Sequence, residues 1–243
     1  MFTIYGVPLS IHVRKVIVAA LEKRLEHRVE VVFPFDPPPG WRDLSPTGKI
    51  PALRHGDLTL ADSSVILAYL EKRFPEVPLN PSDPSQYARA LWFEEYVDSQ
   101  IAPDVIGLFH QRVLGPMLHK KEPDTAVVRK LLHEDLPPKL DYLEASLQGD
   151  YLVAGRVSVA DITLASDLMI FHYVGCKLDA ARHPNLLAHF QRMLGRESFR
   201  TALAAEQPFA EQMGLDRSFL RAVGAGREKE GKLSDAALIP GSG

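Results

Sequence analysis

Cysteine is almost absent from this chain of 243 residues. Cys176 is the sole one, so no internal disulfide framework can form, and a reducing, cytoplasmic setting is expected. No run approaches the roughly eighteen consecutive apolar residues of a membrane span. The first residues lack a basic segment followed by an apolar core of about 7–15 residues, so no secretory signal is expected. An excess of charge of one sign is missing too: 28 Lys and Arg oppose 31 Asp and Glu, a formal net charge of -3. That leaves no global field to draw the protein to nucleic acid or to an anionic membrane. No repeat period is apparent, and no metal site is expected. What is present is 46% hydrophobic and 24% charged residues, enough for one large or two modest globular cores.

Residues 2–5 (FTIY) read as a short strand broken by Gly6 and Pro8. From Val13 the apolar positions Val13, Val16, Ile17, Ala20 and Leu21 follow the spacing of an amphipathic helix, and RVEVVF (28–33) reads as a second strand. A strand-helix-strand order this compact favours a parallel pair. After an irregular Pro-rich loop, PALR and LTLA flank a Gly-Asp turn and predict a hairpin, and Val65, Ile66, Tyr69 and Leu70 restore the helical period. The stretch 74–85 holds four prolines in twelve residues and marks a connector. We therefore divide the chain into an α/β unit (1–76), a linker (77–86), an all-helical unit (87–213) and a flexible tail (214–243). Within the helical unit, kinks are expected at Pro103 and at Pro137-Pro138, with further helices near 159–175, 184–195 and 197–207.

Several local patterns carry chemistry. In GVPLSIHVRKV, Ser10 stands where a loop enters a helix, a favoured position for a capping residue and equally one where a hydroxyl meets the positive end of a helix dipole. From the residues alone both readings stand. His12 does not make a Ser-His hydrolase with it, because residues i and i+2 do not face each other and no Gly-x-Ser-x-Gly elbow surrounds Ser10. Asp62-Ser63 opens a helix, either as an ordinary cap or as an anion-binding start. Ser158 and Asp161 have the spacing of a short-armed capping box, a fold device rather than a catalytic one.

Four of these stretches, IYGVPLSIHVRKVIVAALEK, GKIPAL, LADSSVILAYL and VSVADITLASDL, resemble motifs of the cytosolic glutathione transferases of the serine type, closest to the phi-like and bacterial members. The resemblance covers roughly residues 1–210. It implies a thioredoxin-like N-terminal domain and an all-α C-terminal domain, with Pro51 cis. It implies glutathione as co-substrate, and a homodimer; Phe35 or Trp41 of the Pro-rich loop would either anchor that dimer or fold back onto their own domain. Ser10 becomes the hydrogen-bond donor that keeps the glutathione thiol ionised. Lys49, Ile50, Pro51, Asp62 and Ser63 become the holders of the tripeptide, with Arg42 as a further basic contact. An apolar electrophile would then lie near Ile11, His12, Phe109, His110 and Val113.

Physically, the thiolate is the nucleophile, and a free cysteine thiol ionises only near about pH 8.5. A donor hydroxyl and a helix N-terminus both favour the charged form. The leading expectation is conjugation to apolar electrophiles, accompanied by glutathione peroxidase activity. The alternatives are a glutathione-dependent disulfide-bond oxidoreductase and a non-catalytic binding module on the same fold. The lack of a cysteine at position 10 turns the reading away from the thiol-exchanging subclasses.

Overall fold

The computed structural model describes residues 1–223, with side chains as far as 220, so the part of the expected tail at 224–243 lies outside the described residues. Phe2 and Ile4 of β1 (Phe2–Tyr5) point into the core while Thr3 and Tyr5 are half-buried, the alternation of a strand with one covered face. α1 (Ile11–Glu22) follows, then β2 (His27–Glu30), which lies parallel to β1. β2 is shorter than its sequence suggests. Its partner strand is lost once Gly6, at φ 145°, turns the chain away after its N–H donates one last ladder bond to Glu30 O at 2.9 Å. Val32 goes instead into a small second core with Trp41, Leu44 and Ala52. Trp41–Leu44 forms α2, a short helix within what reads as irregular loop.

β3 (Ala52–His55) and β4 (Leu58–Ala61) make the expected hairpin, closed by Gly56 at φ 60°. β3 runs antiparallel to β1, so the sheet order is β2-β1-β3-β4. α3 (Ser63–Arg73) completes a thioredoxin-like unit. The connector is pinned rather than loose. Glu71 accepts from the amides of Leu79 and Asn80 and from Lys23 Nζ, which also donates to Val77 O at 2.7 Å.

The helical unit begins inside the expected linker, at Pro84, with Asp83 capping Gln86 N at 2.9 Å. A first long helix covers 84–119 and a second covers 125–146. Neither breaks at its prolines. Wide, five-residue-per-bond turns sit at Val97–Ile101, His110–Leu114 and Leu131–Asp135, and each lies just before a proline: Pro103, Pro116 and Pro137. A proline ring clashes with the carbonyl four residues back and supplies no N–H. Here those carbonyls belong to Ser99, Arg112 and His133, each inside a wide turn that moves it aside.

The central helix Val159–Tyr173 is buried along its whole length, and its first turn is held by Asp161. That carboxylate accepts from the Ser158 amide (2.8 Å), the Ser158 hydroxyl (2.7 Å) and the Leu152 amide (2.8 Å), and it meets His189 Nε2 at 2.9 Å. Pro184–Leu194 and the final α-helix of the described residues, Glu197–Gln212, pack around it; the latter runs through Pro208 rather than stopping before it. Among the described residues no helix is long and apolar enough to cross a membrane.

Residues 214–220, expected as the start of a flexible tail, pack down instead. Asp216 N donates to Tyr173 O at 3.0 Å, Leu220 is buried, and Phe219 lies against His172 and Phe190. His172 stacks flat on Phe190, with centroids 4.8 Å apart, and burial lowers its pKa to about 4, outweighing the attraction of Asp216. An unfolded His takes up its proton near 6.5. The stability that this neutral His contributes is therefore complete above that value and lost as pH falls from there to about 4. The loss expected across the window is about 3 kcal/mol. Urea midpoints measured from pH 7 to pH 4 should fall more steeply for the parent chain than for His172→Phe, and parallel curves would refute the assignment.

Candidate functional site

The site grows from the loop between β1 and α1. A Cβ on Gly6 would stand 2.5 Å from Val13 Cγ2 and 3.1 Å from Ile50 Cβ, so the loop is pressed onto both the helix that follows it and the segment before β3. Only glycine fits there, by space and by φ. Ser10 is the residue before α1, extended at φ -64° and ψ 133°, with its amide bonded to Val7 O. Its hydroxyl makes no capping bond to the helix it precedes. Capping and presentation therefore separate here: the backbone of Ser10 starts the helix, and its half-buried hydroxyl has no partner among the described residues at the positive end.

Across the loop, the Ile50-Pro51 bond is cis and Pro51 is buried. Trp41 Nε1 donates to Gly48 O at 3.1 Å and Ser45 Oγ to Lys49 O at 2.7 Å, which fixes the approach to that bond while Lys49 stays exposed. Trp41 is thus buried in its own domain and does not serve as a subunit anchor, whereas Phe35 is 44% exposed. Arg42 bonds the local carbonyl of Pro46 at 3.0 Å and lies over Gly48.

Asp62, at φ 83°, holds a backbone conformation that L residues rarely adopt. Its Oδ1 accepts from the amides of Ser64 (3.0 Å) and Val65 (3.1 Å), leaving the amide of buried Ser63 as the first-turn donor of α3 without a partner among the described residues. Asp62 is therefore a cap, and its exposed second oxygen is free for another task.

Residues that sequence reasoning passed over hold this arrangement in place. Arg14 is fully buried and donates to three elements: Leu9 O of the loop (3.0 Å), Ser166 O of the central helix (2.8 Å) and Glu206 of the final helix (2.7 Å). Tyr173 adds its hydroxyl to Glu206 at 2.5 Å. Burial pushes the Glu206 carboxyl up, and Arg14 and Tyr173 oppose that. Lys15, also buried, bonds Glu94 at 2.7 Å and Asp98, and Ser64 Oγ donates to Glu94 at 2.5 Å. The pair of carboxylates holds the Lys15 ammonium above its usual range despite the opposing effect of burial. The available signal was the unbroken apolar run Val16–Ala20, which no amphipathic surface helix needs; it marks α1 as a helix enclosed on all sides, whose charges must find partners.

His12 lies half-buried beside this cluster, with Nδ1 3.8 Å from Asp98 Oδ1. Burial lowers its pKa, and the charges that face it are Asp98, Lys15, Asp62 and Lys49. His12 thus lies within the electrostatic reach of Lys49 and Asp62, and Ile50 packs against the loop that carries Ser10. The other expected electrophile contacts divide. Ile11 is only 4% exposed and belongs to the core, as an apolar residue at the buried start of α1 must. Phe109 and Val113 pack half-buried against the helical core, and His110 is exposed at the start of the second wide turn. Among the described residues no group of three or more His, Cys, Asp or Glu side chains could hold a metal ion. A polar groove of about 820 Å³ opens near Glu22 and Arg196, at the opposite end of α1 from Ser10. Within it Arg196 grips Glu22 through two bonds of 2.6 and 2.8 Å.

Comparison with known families and structures adds to this geometry. The model "Glutathione S-transferase, N-terminal domain" matches residues 4–78, and "Glutathione S-transferase, C-terminal domain" matches residues 109–205. FtsZ-localized protein A of Caulobacter vibrioides is 30% identical over 216 residues, covering 85% of this chain and 92% of that protein. Glutathione S-transferase 3 of Zea mays is 30% identical over 213 residues, with 83% and 93% covered. The crystal structure of a glutathione S-transferase from Rhodospirillum rubrum F11 superposes with a TM-score of 0.77 at 26% identity, covering 84% of this chain and 92% of that one.

The three-way grip of Arg14 can be tested on stability. Arg14→Met leaves Glu206 buried without its cation and should cost about 3–5 kcal/mol in urea unfolding, while Arg14→Met combined with Glu206→Leu should recover much of the loss. A double variant no more stable than the single one would show that the pair is not what joins the helices.

Proposed function

Since the chain belongs to the glutathione S-transferase family, we propose that it binds glutathione across the Ser10 loop and transfers its thiolate to apolar electrophiles. The observation that carries the reading is the uncommitted hydroxyl of Ser10 at the N-terminus of α1. In this reading Ser10 donates to the sulfur, and the partial positive charge of the helix end adds to it. The nucleophile belongs to glutathione, and Ser10 is neither nucleophile nor base. The γ-glutamyl carboxylate takes the left-over Ser63 amide, its ammonium takes the free oxygen of Asp62, the cysteinyl backbone runs beside Ile50 and Pro51, and Lys49 meets the glycyl carboxylate. The same thiolate, aimed at a peroxide, gives glutathione peroxidase activity. The protein acts in the cytoplasm, in detoxification, as a homodimer.

A second reading is favoured by one finding: the relative named FtsZ-localized protein A covers almost the whole fold at 30% identity. In that reading the fold serves as a binding module for a protein partner. The exposed aromatic surface of Trp92 (53% exposed) and Tyr142, locked by a 2.8 Å bond between Trp92 Nε1 and the Tyr142 hydroxyl, offers such a partner a rigid contact.

Ser10→Ala separates the two. Loss of one hydrogen bond to a charged sulfur should cost about 1.5–3 kcal/mol. The ionisation of bound thiol, followed by thiolate absorbance, should move up by one to two pH units or so, and kcat/KM with a chlorinated dinitrobenzene should fall at least tenfold or so at neutral pH. If neither quantity moves in an active protein, Ser10 has no part in the chemistry. A parent chain that is neither retained on immobilised glutathione nor active points to the binding module.

A further inference from the structure

Ionising a thiol requires a destination for its proton, and Ser10 cannot supply one: a hydroxyl that donates to sulfur keeps its own proton there. His12 is placed to do so. It occupies the second position of α1, and among the described residues its Nδ1 is enclosed without a hydrogen-bond partner, 3.8 Å from an Asp98 oxygen that also lacks one. The other Asp98 oxygen is taken by Lys15 and, at 3.3 Å, by Ser64 Oγ, so the carboxylate is fixed in its orientation. With Nδ1 facing Asp98, Nε2 is the ring nitrogen left for the cleft.

The charged groups around the ring come from every side of the site. Asp62 caps α3, Lys49 precedes the cis bond, Lys15 lies one turn along α1, and Asp98 reaches in from the wide turn of the first long helix. Two of these, Asp62 and Lys49, are the groups assigned above to opposite ends of glutathione. His12 therefore feels charges assigned to both ends of the tripeptide. On the central helix, burial holds the carboxyl of fully buried Asp167 well above the usual carboxylate range, and its Oδ1 has no partner among the described residues. Burial also keeps the His12 imidazole neutral at neutral pH, the form that accepts a proton.

We propose that His12 Nε2 accepts the glutathione thiol proton, with Asp98 behind Nδ1 stabilising the imidazolium, so that the bound nucleophile is half of a thiolate-imidazolium pair. The inference rests on the glutathione-binding reading above. In the step, the S–H bond breaks with its electron pair left on sulfur, and an N–H bond forms at Nε2. After the sulfur attacks, the imidazolium returns its proton to solvent or to the departing anion of the electrophile. His12 and Ser10 need not face each other, because the sulfur stands between them. At 3.8 Å the ring and the Asp98 carboxylate are close enough for their attraction to strengthen once the ring carries charge.

The experiment uses the full-length protein. The His12 ring is titrated by NMR, with its signal assigned by comparison with His12→Gln, in free protein, with glutathione and with S-methylglutathione. Binding of both tripeptides is followed by calorimetry. Glutathione should raise the His12 titration by about one pH unit or more, S-methylglutathione should not, and Asp98→Asn should shrink the rise. In His12→Gln the bound thiol should ionise about one pH unit higher than in the parent. Equal His12 titration with both tripeptides, each bound, overturns the proposal and leaves the glutathione site standing. Failure of both tripeptides to bind overturns the site reading and this proposal together.

Discussion

One buried guanidinium organises this molecule. Arg14 has no access to water, and the cost of enclosing its charge is offset only because its donors find a carboxylate and two main-chain carbonyls at short range. Those partners lie on the β1-α1 loop, the central helix and the final helix, so the same side chain that closes the interface between the units also fixes the carbonyl next to Ser10. Interdomain packing and the geometry of the site are consequently one constraint. The apolar core makes the same point: a single cluster runs from Phe2 through α1 and the central helix to Leu220.

Around this anchor, charge is distributed by burial. Lys15, Glu94, Asp98 and Ser64 make a partly enclosed network that ties α1, α3 and the first long helix together at the floor of the cleft. Charges on the rim, Lys49 and Asp62, remain exposed and available. The division follows from dielectric: enclosed groups hold the frame because they interact strongly, and exposed ones exchange partners at little cost. His12 sits on the boundary between the two populations, which gives it both a fixed neighbour and an open side.

Much of the fold was legible in the sequence. The parallel β1-β2 pair, the hairpin and the amphipathic helices declare themselves through periodicity and turn residues, and the Ser158–Asp161 pair through its spacing. The rest depends on contacts far apart in the chain. β2 ends where its partner turns away, which its own β-prone residues cannot announce. Trp41 reads as an exposed loop aromatic until Val32 and Ala52 close over it. Ile11 looks like a wall of the cleft from its position beside Ser10, yet its side chain points into the core. Of the site, the loop, the cis bond and the α3 cap could be located from local motifs; Lys15, Glu94, Asp98 and Arg14 could not, because each is meaningful only through a partner tens of residues away.

Prolines in the long helices read as break points, and the structure answers them with wide turns. Each such turn carries one residue more than an α turn, and one residue corresponds to about 100° around the axis. The side chains on either side of Val97–Ile101 are thereby re-phased: Tyr87, Leu91 and Glu94 follow one angular count and Val105 and Leu108 another. Asp98 is delivered to α1 at the seam between the two counts. Chain length in that turn is therefore as strictly determined as side-chain identity, since a gain or loss of one residue would swing every later contact of the helix away from its neighbour without altering a single functional group.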